Sequence, residues 1–298
     1  MMTDKASTCA TKKTPWQVVV SRAVAEPNVR VERARSYGPT SRHVYNLYEP
    51  PTGQPVIATA LFIYGGSWET GERGCYAFVG AALATKGVRT IIADYRLHPQ
   101  VSFPGFVEDM ALAYAHTAKH YAHNGQPPVL VGHSAGAHIA ALLAGDRRYL
   151  HDVGAGDQRP NVFIGLSGPY VFDPTTWDTT KHIFAPVKAT PDLARPIAFA
   201  APDFPKTLLL HGGRDTLVTP NASTLFHKAL VEAGADATVK VYRHLAHAGP
   251  IVTFARPLRW LAPTLKDVVG AIQVNVPQPS TSTRQPTAAR TAKTEASA

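Results

Sequence analysis

The segment Gly132-His133-Ser134-Ala135-Gly136 constrains this chain more than any other. It directly follows the apolar run Pro128-Val129-Leu130-Val131 and opens the Ala-rich stretch Ala135–Leu143. A G-x-S-x-G sequence between a strand and a helix reads as a sharp turn. The turn is too sharp for side chains at the flanking positions, so small residues sit there, and the serine oxygen is thrust out at the helix N-terminus. There the helix dipole and the unpaired N–H groups favour developing negative charge. Ser134 is therefore the candidate nucleophile. His133, inside the turn, cannot reach the serine oxygen as a base and is expected to be structural or to line the pocket. His138, one turn into the helix, points away and is expected to pack or to hydrogen-bond.

Around this turn, short apolar runs alternate with longer helical patterns. Val56–Tyr64, Val88–Tyr95, Pro128–Val131, Val162–Leu166, Leu208–Leu210 and Val239–Tyr242 read as strands. Ala77–Lys86, Phe106–Ala122, Ala135–Leu143 and Ala222–Ala233 read as helices, with a last helical stretch from about Ile251 to Ile272 interrupted at Pro257 and Pro263. Such alternation predicts an α/β fold: a mostly parallel central sheet with helices on both faces. Val29–Arg33 and Val44–Tyr48 look like an antiparallel lead-in. Parallel sheets of this kind carry their sites at the carboxyl ends of the strands.

A serine nucleophile needs a base, an orienting carboxylate and oxyanion donors. Ile63-Tyr64-Gly65-Gly66-Ser67-Trp68 ends a strand in a Gly-Gly turn that lets backbone approach a substrate. The N–H groups of Gly66, Ser67 and Ala135 are the expected donors. After Ser134, Asp215 stands just past the strand Leu208–Leu210, whereas its rival Asp203 precedes that strand and belongs at the opposite edge of the sheet. His247 lies on the loop after the last strand; His244, the runner-up, is too near the strand end to swing over the site. Trp68 and Tyr170 are further candidates for the substrate pocket, with His133. His116, His120 and His123 share a helical face but have no carboxylate or cysteine companion, so a solvent-facing row is expected rather than a metal site. The chemistry calls for no metal and no organic cofactor.

Composition sets the remaining limits. The chain has 298 residues and a net charge of +9, of which +5 falls in residues 1–42 and +2 in residues 277–298. Charge gathered at the ends, with no basic stripe, argues against nucleic-acid binding. No run approaches the ~18 apolar residues of a membrane helix, so no stable membrane insertion is expected. Two cysteines, Cys9 and Cys75, make no disulfide framework; free thiols and a cytoplasmic location are the expectation. The first 25 residues read as a flexible segment with one short helix at Pro15–Ala23. Residues 26–276 read as the folded domain, and the Ser/Thr/Ala/Pro-rich residues 277–298 as a disordered tail. Within the domain, Tyr170–Phe204 is rich in proline and aromatics and reads as a small cap or pocket wall.

Taken together, these motifs resemble the bacterial α/β-hydrolase carboxylesterases, close to the hormone-sensitive-lipase-like and kynurenine-formamidase-like branches. The likeness runs from about Tyr37 to Ile272. It rests on Tyr64-Gly65-Gly66-Ser67-Trp68, Asp94-Tyr95-Arg96-Leu97, Phe103-Pro104 with Glu108-Asp109, Gly132 to His138, Ser167-Gly168-Pro169-Tyr170, and the Asp215 and His247 segments. The resemblance implies an α/β-hydrolase fold, a triad of Ser134, Asp215 and His247, and a small-molecule ester, short-chain or aryl, as substrate. The lipase-like enzymes carry His-Gly-Gly where this chain has Tyr64-Gly65-Gly66. A Gly-Gly-Ser-Trp loop also looks like the formamidase type, so amide or formamide cleavage is the alternative. A catalytically silent binding protein is a further one. Oligomeric state is not readable from the chain.

Overall fold

A computed structural model describes residues 26–275. The helix expected at Pro15–Ala23 and the tail 277–298 lie outside the described residues. Eight strands form one sheet: β1 (Arg30–Ser36), β2 (Val44–Glu49), β3 (Ala58–Ile63), β4 (Val88–Ala93), β5 (Val129–His133), β6 (Val162–Leu166), β7 (Lys206–Gly212) and β8 (Ala237–Tyr242). Their spatial order is β1-β2-β4-β3-β5-β6-β7-β8. β2 runs antiparallel to both β1 and β4, and every pairing from β4 onward is parallel. This is the mostly parallel sheet expected from the alternation of runs, with its antiparallel lead-in, and it has the α/β-hydrolase architecture that the resemblance implies.

β3, β5 and β6 are buried at every position, which is why they read as continuous apolar runs rather than alternating ones. The edges differ. β1 is largely exposed and carries Arg30, Glu32, Arg33 and Arg35, charges that discourage pairing with another chain. Helices α1 (Ala77–Ala84) and α7 (Thr264–Asn275) meet on one face. On the other, α2 (Gly105–Tyr121) packs on α3 (Ala135–Gly145), and α5 (Asn221–Glu232) joins α3 through a 3₁₀ turn at Pro196–Phe199. α1 has no charged residue and is buried from Phe78 to Ala84, since it is covered by the sheet below and α7 above. The final helical stretch is three pieces: α6 (Gly249–Val252), a 3₁₀ turn at Arg256–Leu258 that holds Pro257, and α7, which starts just past Pro263. A short α4 (Arg147–Asp152) follows α3, its first turn capped by the Asp146 carboxylate. Among the described residues no helix is long and apolar enough to cross a membrane.

One expectation is corrected. Cys75 is buried and disulfide-bonded, not a free thiol. The other cysteine, Cys9, lies outside the described residues. Counting cysteines says nothing about which thiols the fold brings together, and the reducing compartment inferred from free thiols loses that support.

The fold positions the site through one topological feature. β3 lies between β4 and β5, so the chain leaves β3 to one side and then crosses back over it. At such a reversal the connecting segments diverge and open a crevice at the carboxyl ends of the strands.

Candidate active site

The Ser134 turn sits at this reversal. Ser134 has φ 54° and ψ −124°, a conformation that L-residues avoid and that costs roughly 1–3 kcal/mol. The flanking glycines are required by close approach. A Cβ on Gly132 would lie 2.5 Å from the Gly136 carbonyl oxygen, and one on Gly136 would lie 2.1 Å from that of Ile63. The second contact ties the turn to the end of β3, where the loop Tyr64-Gly65-Gly66-Ser67-Trp68 begins.

That loop is also strained, with φ 138° at Gly66, 53° at Ser67 and 60° at Trp68. It is held from behind by phenols. Tyr95 Oη donates to the Tyr64 carbonyl at 2.9 Å, and Tyr64 Oη donates to Asp94 Oδ1 at 2.9 Å. Arg42 donates to Tyr64 Oη at 2.8 Å and to the Gly71 carbonyl at 3.0 Å. Asp94 also pairs with the Arg73 side chain. Ser67 and Ala135 line the cavity beside Ser134, and Gly66 immediately precedes Ser67.

Three side chains from distant segments converge in line. Ser134 Oγ lies 2.9 Å from His247 Nε2, and His247 Nδ1 lies 2.7 Å from Asp215 Oδ2. The carboxylate accepts only, so Nδ1 carries the proton and Nε2 is free to accept from the serine hydroxyl. Asp215 Oδ1 takes the backbone N–H groups of Leu217 and Val218 at 3.0 and 2.9 Å. Burial alone would raise the Asp215 pKa. The hydrogen bonds from His211 and His247 outweigh burial and hold it well below the usual carboxylate range.

His211 was not singled out by the sequence. It is fully buried at the end of β7 and its Nε2 lies 3.1 Å from Asp215 Oδ2 and 2.8 Å from the Val218 carbonyl. A carbonyl only accepts, so Nε2 bears the proton, and Nδ1 accepts from Ser223 Oγ at 2.7 Å. Asp215 is thus gripped by two imidazoles on one oxygen and two amides on the other. The signal that could have found His211 is its place in the strand's last turn, four residues before a carboxylate.

The rivals are placed elsewhere. Asp203 pairs with Arg147 and Arg159 at the surface, and His244 is exposed. His138 is fully buried and its Nε2 bonds the Ala194 carbonyl at 2.8 Å, in the packing role expected of it. Burial lowers its pKa to about 4. Burial, then the neighbouring His247, lowers that of His133 to about 3. In the histidine row, His120 is exposed, but His116 is half-buried against Tyr45, with Nε2 3.3 Å from its hydroxyl.

A cavity of about 300 Å³ opens beside Ser134. Its walls include Ser67, Trp68, Phe172, Trp177, Leu217 and Val218. Trp68 lines it; Tyr170 and His133, the other two pocket candidates, do not. Tyr170 is fully buried and stacks on Phe226 at 4.8 Å, with its hydroxyl packed against Gly165 of β6. His133 is buried behind the turn, its ring 5.4 Å from that of His247. The segment 170–204 serves partly as pocket wall, through Phe172 and Trp177, and partly as core, through Tyr170 and Phe184. It contains 3₁₀ turns and no α-helix.

Known proteins resemble this chain. A family model described as BD-FAE matches residues 45–156. A probable isoprenylcysteine alpha-carbonyl methylesterase of Oryza sativa subsp. japonica is 30% identical over 250 residues, which are 73% of this chain and 57% of that protein. A kynurenine formamidase of Danio rerio is 25% identical over 172 residues, 55% of this chain and 56% of that protein. The chain thus spans little more than half the length of these curated relatives. The crystal structure of an inhibited esterase B from Lactobacillus rhamnosis superposes with a TM-score of 0.71 at 18% identity, over 87% of this chain and 91% of that one. Sheet order, the turn at its reversal and these likenesses agree: the chain has the α/β-hydrolase fold and is similar in sequence to esterases.

Proposed function

We propose that this protein is a serine carboxylesterase that works by acyl transfer through Ser134, His247 and Asp215. The observation that carries the reading is the continuous relay from Ser134 Oγ to His247 at 2.9 Å and from His247 to Asp215 at 2.7 Å. His247 Nε2 takes the hydroxyl proton as Ser134 Oγ attacks the ester carbonyl. Asp215 stabilises the imidazolium that forms. The N–H groups of Gly66, Ser67 and Ala135 receive the oxyanion, each donor contributing about 3 kcal/mol. The imidazolium then protonates the leaving alkoxide, and an alcohol departs. Water, deprotonated by His247, attacks the acyl-enzyme, and the carboxylic acid leaves with Ser134 restored. The reaction needs no cofactor.

Substrate size follows from the walls. A cavity of about 300 Å³ stands at the small end of ligand sites, and Phe172, Trp177 and Leu217 make it apolar. Short-chain or aryl esters fit this space. A formamide is the second reading, favoured by the Gly65-Gly66-Ser67-Trp68 loop and the kynurenine formamidase relative. A silent binding protein would have no need of the aligned relay.

The test is hydrolysis of p-nitrophenyl acetate, butyrate and octanoate, beside a matched aryl formamide, by the protein and by Ser134→Ala. We expect ester turnover that falls with acyl length and is lost in the variant. Undiminished turnover in a folded Ser134→Ala protein rejects the nucleophile. Turnover of the formamide alone moves the assignment to the second reading.

A further inference from the structure

We propose that Glu69, His98 and His182 form a binding site for a divalent transition-metal ion of the zinc class, at the rim of the oxyanion loop. This goes beyond ester hydrolysis and does not depend on it. Glu69 follows the loop donors directly, His98 stands just past the Asp94-Tyr95-Arg96-Leu97 segment, and His182 belongs to the pocket-wall segment. Three stretches that are far apart in sequence thus aim one donor atom each at a common point.

The spacing fits the chemistry. Zinc holds imidazole nitrogen and carboxylate oxygen at about 2.0–2.2 Å in a tetrahedron, so neighbouring donors stand roughly 3.3 Å apart. Glu69 Oε1 lies 3.0 Å from His182 Nε2 and 3.8 Å from His98 Nδ1. All three donor atoms lie within 4.8 Å of one another. The distances straddle the tetrahedral edge, so small side-chain rotations seat an ion. Two imidazoles and one carboxylate form a set suited to zinc and its neighbours rather than to calcium or magnesium, which prefer oxygen.

The donors are also carried on fixed backbone. The Glu69 N–H bonds the Gly66 carbonyl at 3.1 Å, and the His98 N–H bonds that of Trp68 at 2.9 Å. Beside His182, the Ile183 carbonyl takes the Phe103 N–H at 3.0 Å, and Phe184 is buried against Trp68, Phe103 and Phe106. A rigid frame of this kind lowers the ordering cost of closing a site. The side chains remain 20%, 41% and 45% exposed for His98, Glu69 and His182, which leaves an entry path and a fourth position for water. A bound ion clamps the pocket-wall segment to the end of the oxyanion loop.

Untagged, chelator-stripped protein is titrated with Zn²⁺ against a chromophoric zinc indicator. One equivalent should bind with a Kd of about 10 μM or tighter, and saturation should raise Tm, since the unfolded chain lacks the site. His98→Ala and His182→Ala should each weaken binding by about tenfold or more. The paired variant His116→Ala/His120→Ala, which removes the neighbouring imidazoles on α2, should leave it unchanged. Co²⁺ loading gives a second readout: a visible ligand-field spectrum that disappears in folded His182→Ala. The proposal is overturned by the absence of saturable binding below about 1 mM. It is equally overturned by binding that survives both histidine substitutions or that vanishes with His116 and His120.

Discussion

The grip on Asp215 offers a quantitative test of how the relay is held. His211→Leu keeps the volume of the buried side chain and deletes both its ring nitrogens. The lost contact is a hydrogen bond to a charged group, 3.1 Å to Asp215 Oδ2, shared with the Val218 carbonyl. Bonds of this class contribute about 1.5–3 kcal/mol, and sharing puts this one at the low end. Were about 1.5 kcal/mol expressed in the transition state, kcat would fall about tenfold. KM should change little, because His211 is fully buried and does not line the cavity. The assay is steady-state hydrolysis of p-nitrophenyl butyrate by four proteins: the parent, His211→Leu, Asp215→Asn and the double variant. If His211 acts through the carboxylate, its substitution should cost less than about threefold once Asp215 is already Asn, since groups that work as a unit are non-additive. The full tenfold loss in both backgrounds would refute a positioning role, as would an unchanged kcat in the single variant. Ser223→Ala, which removes only the bond to the far nitrogen at 2.7 Å, should have a smaller effect than His211→Leu.

Two more expectations concern stability. His133 and His138 are held neutral by burial, with pKa values near 3 and 4 against an ordinary value of 6.5. The unfolded chain therefore binds more protons than the folded one around and below that ordinary value, and stability decreases as the pH is lowered. From about pH 7.5 to about pH 5 each histidine should remove about 2 kcal/mol. Asp215, whose pKa is depressed, loses its contribution only below the ordinary carboxylate range and is silent in this window. Urea unfolding at both pH values checks this. His138→Gln should shrink the difference by about 2 kcal/mol, and an unchanged difference rejects the account. Gly136→Ala sets a methyl 2.1 Å from the Ile63 carbonyl oxygen, a backbone clash that forces α3 and β3 apart. Overpacking of this kind costs about 3 kcal/mol, or a Tm lower by roughly 6–12 °C by calorimetry. An unshifted Tm would mean that the turn is looser than its geometry indicates.

Much was legible in the chain because two physical periods dominate it. Buried parallel strands such as Ala58–Ile63 and Val162–Leu166 must be predominantly apolar, and helices on a sheet must bury one face, so element types and their order follow from local sequence. The Ser134 turn was equally plain, since only glycine fits at Gly132 and Gly136. Asp215 was ranked above Asp203 because Asp203 precedes its strand, and His247 above His244 because His244 lies too near the strand end to swing over the site. What local sequence could not carry was everything settled by packing between distant segments. Tyr170 looked like a pocket residue but is buried against Phe226, while His211, four residues before Asp215, was not singled out. The state of Cys75 was misjudged because counting cysteines does not measure the distance between them. The meeting of Glu69, His98 and His182 has no spacing rule at all. Periodicity and steric exclusion act between near neighbours and are written in the chain. Hydrogen-bond partners and donor clusters depend on which loops the sheet order brings together, and only the tertiary fold decides that.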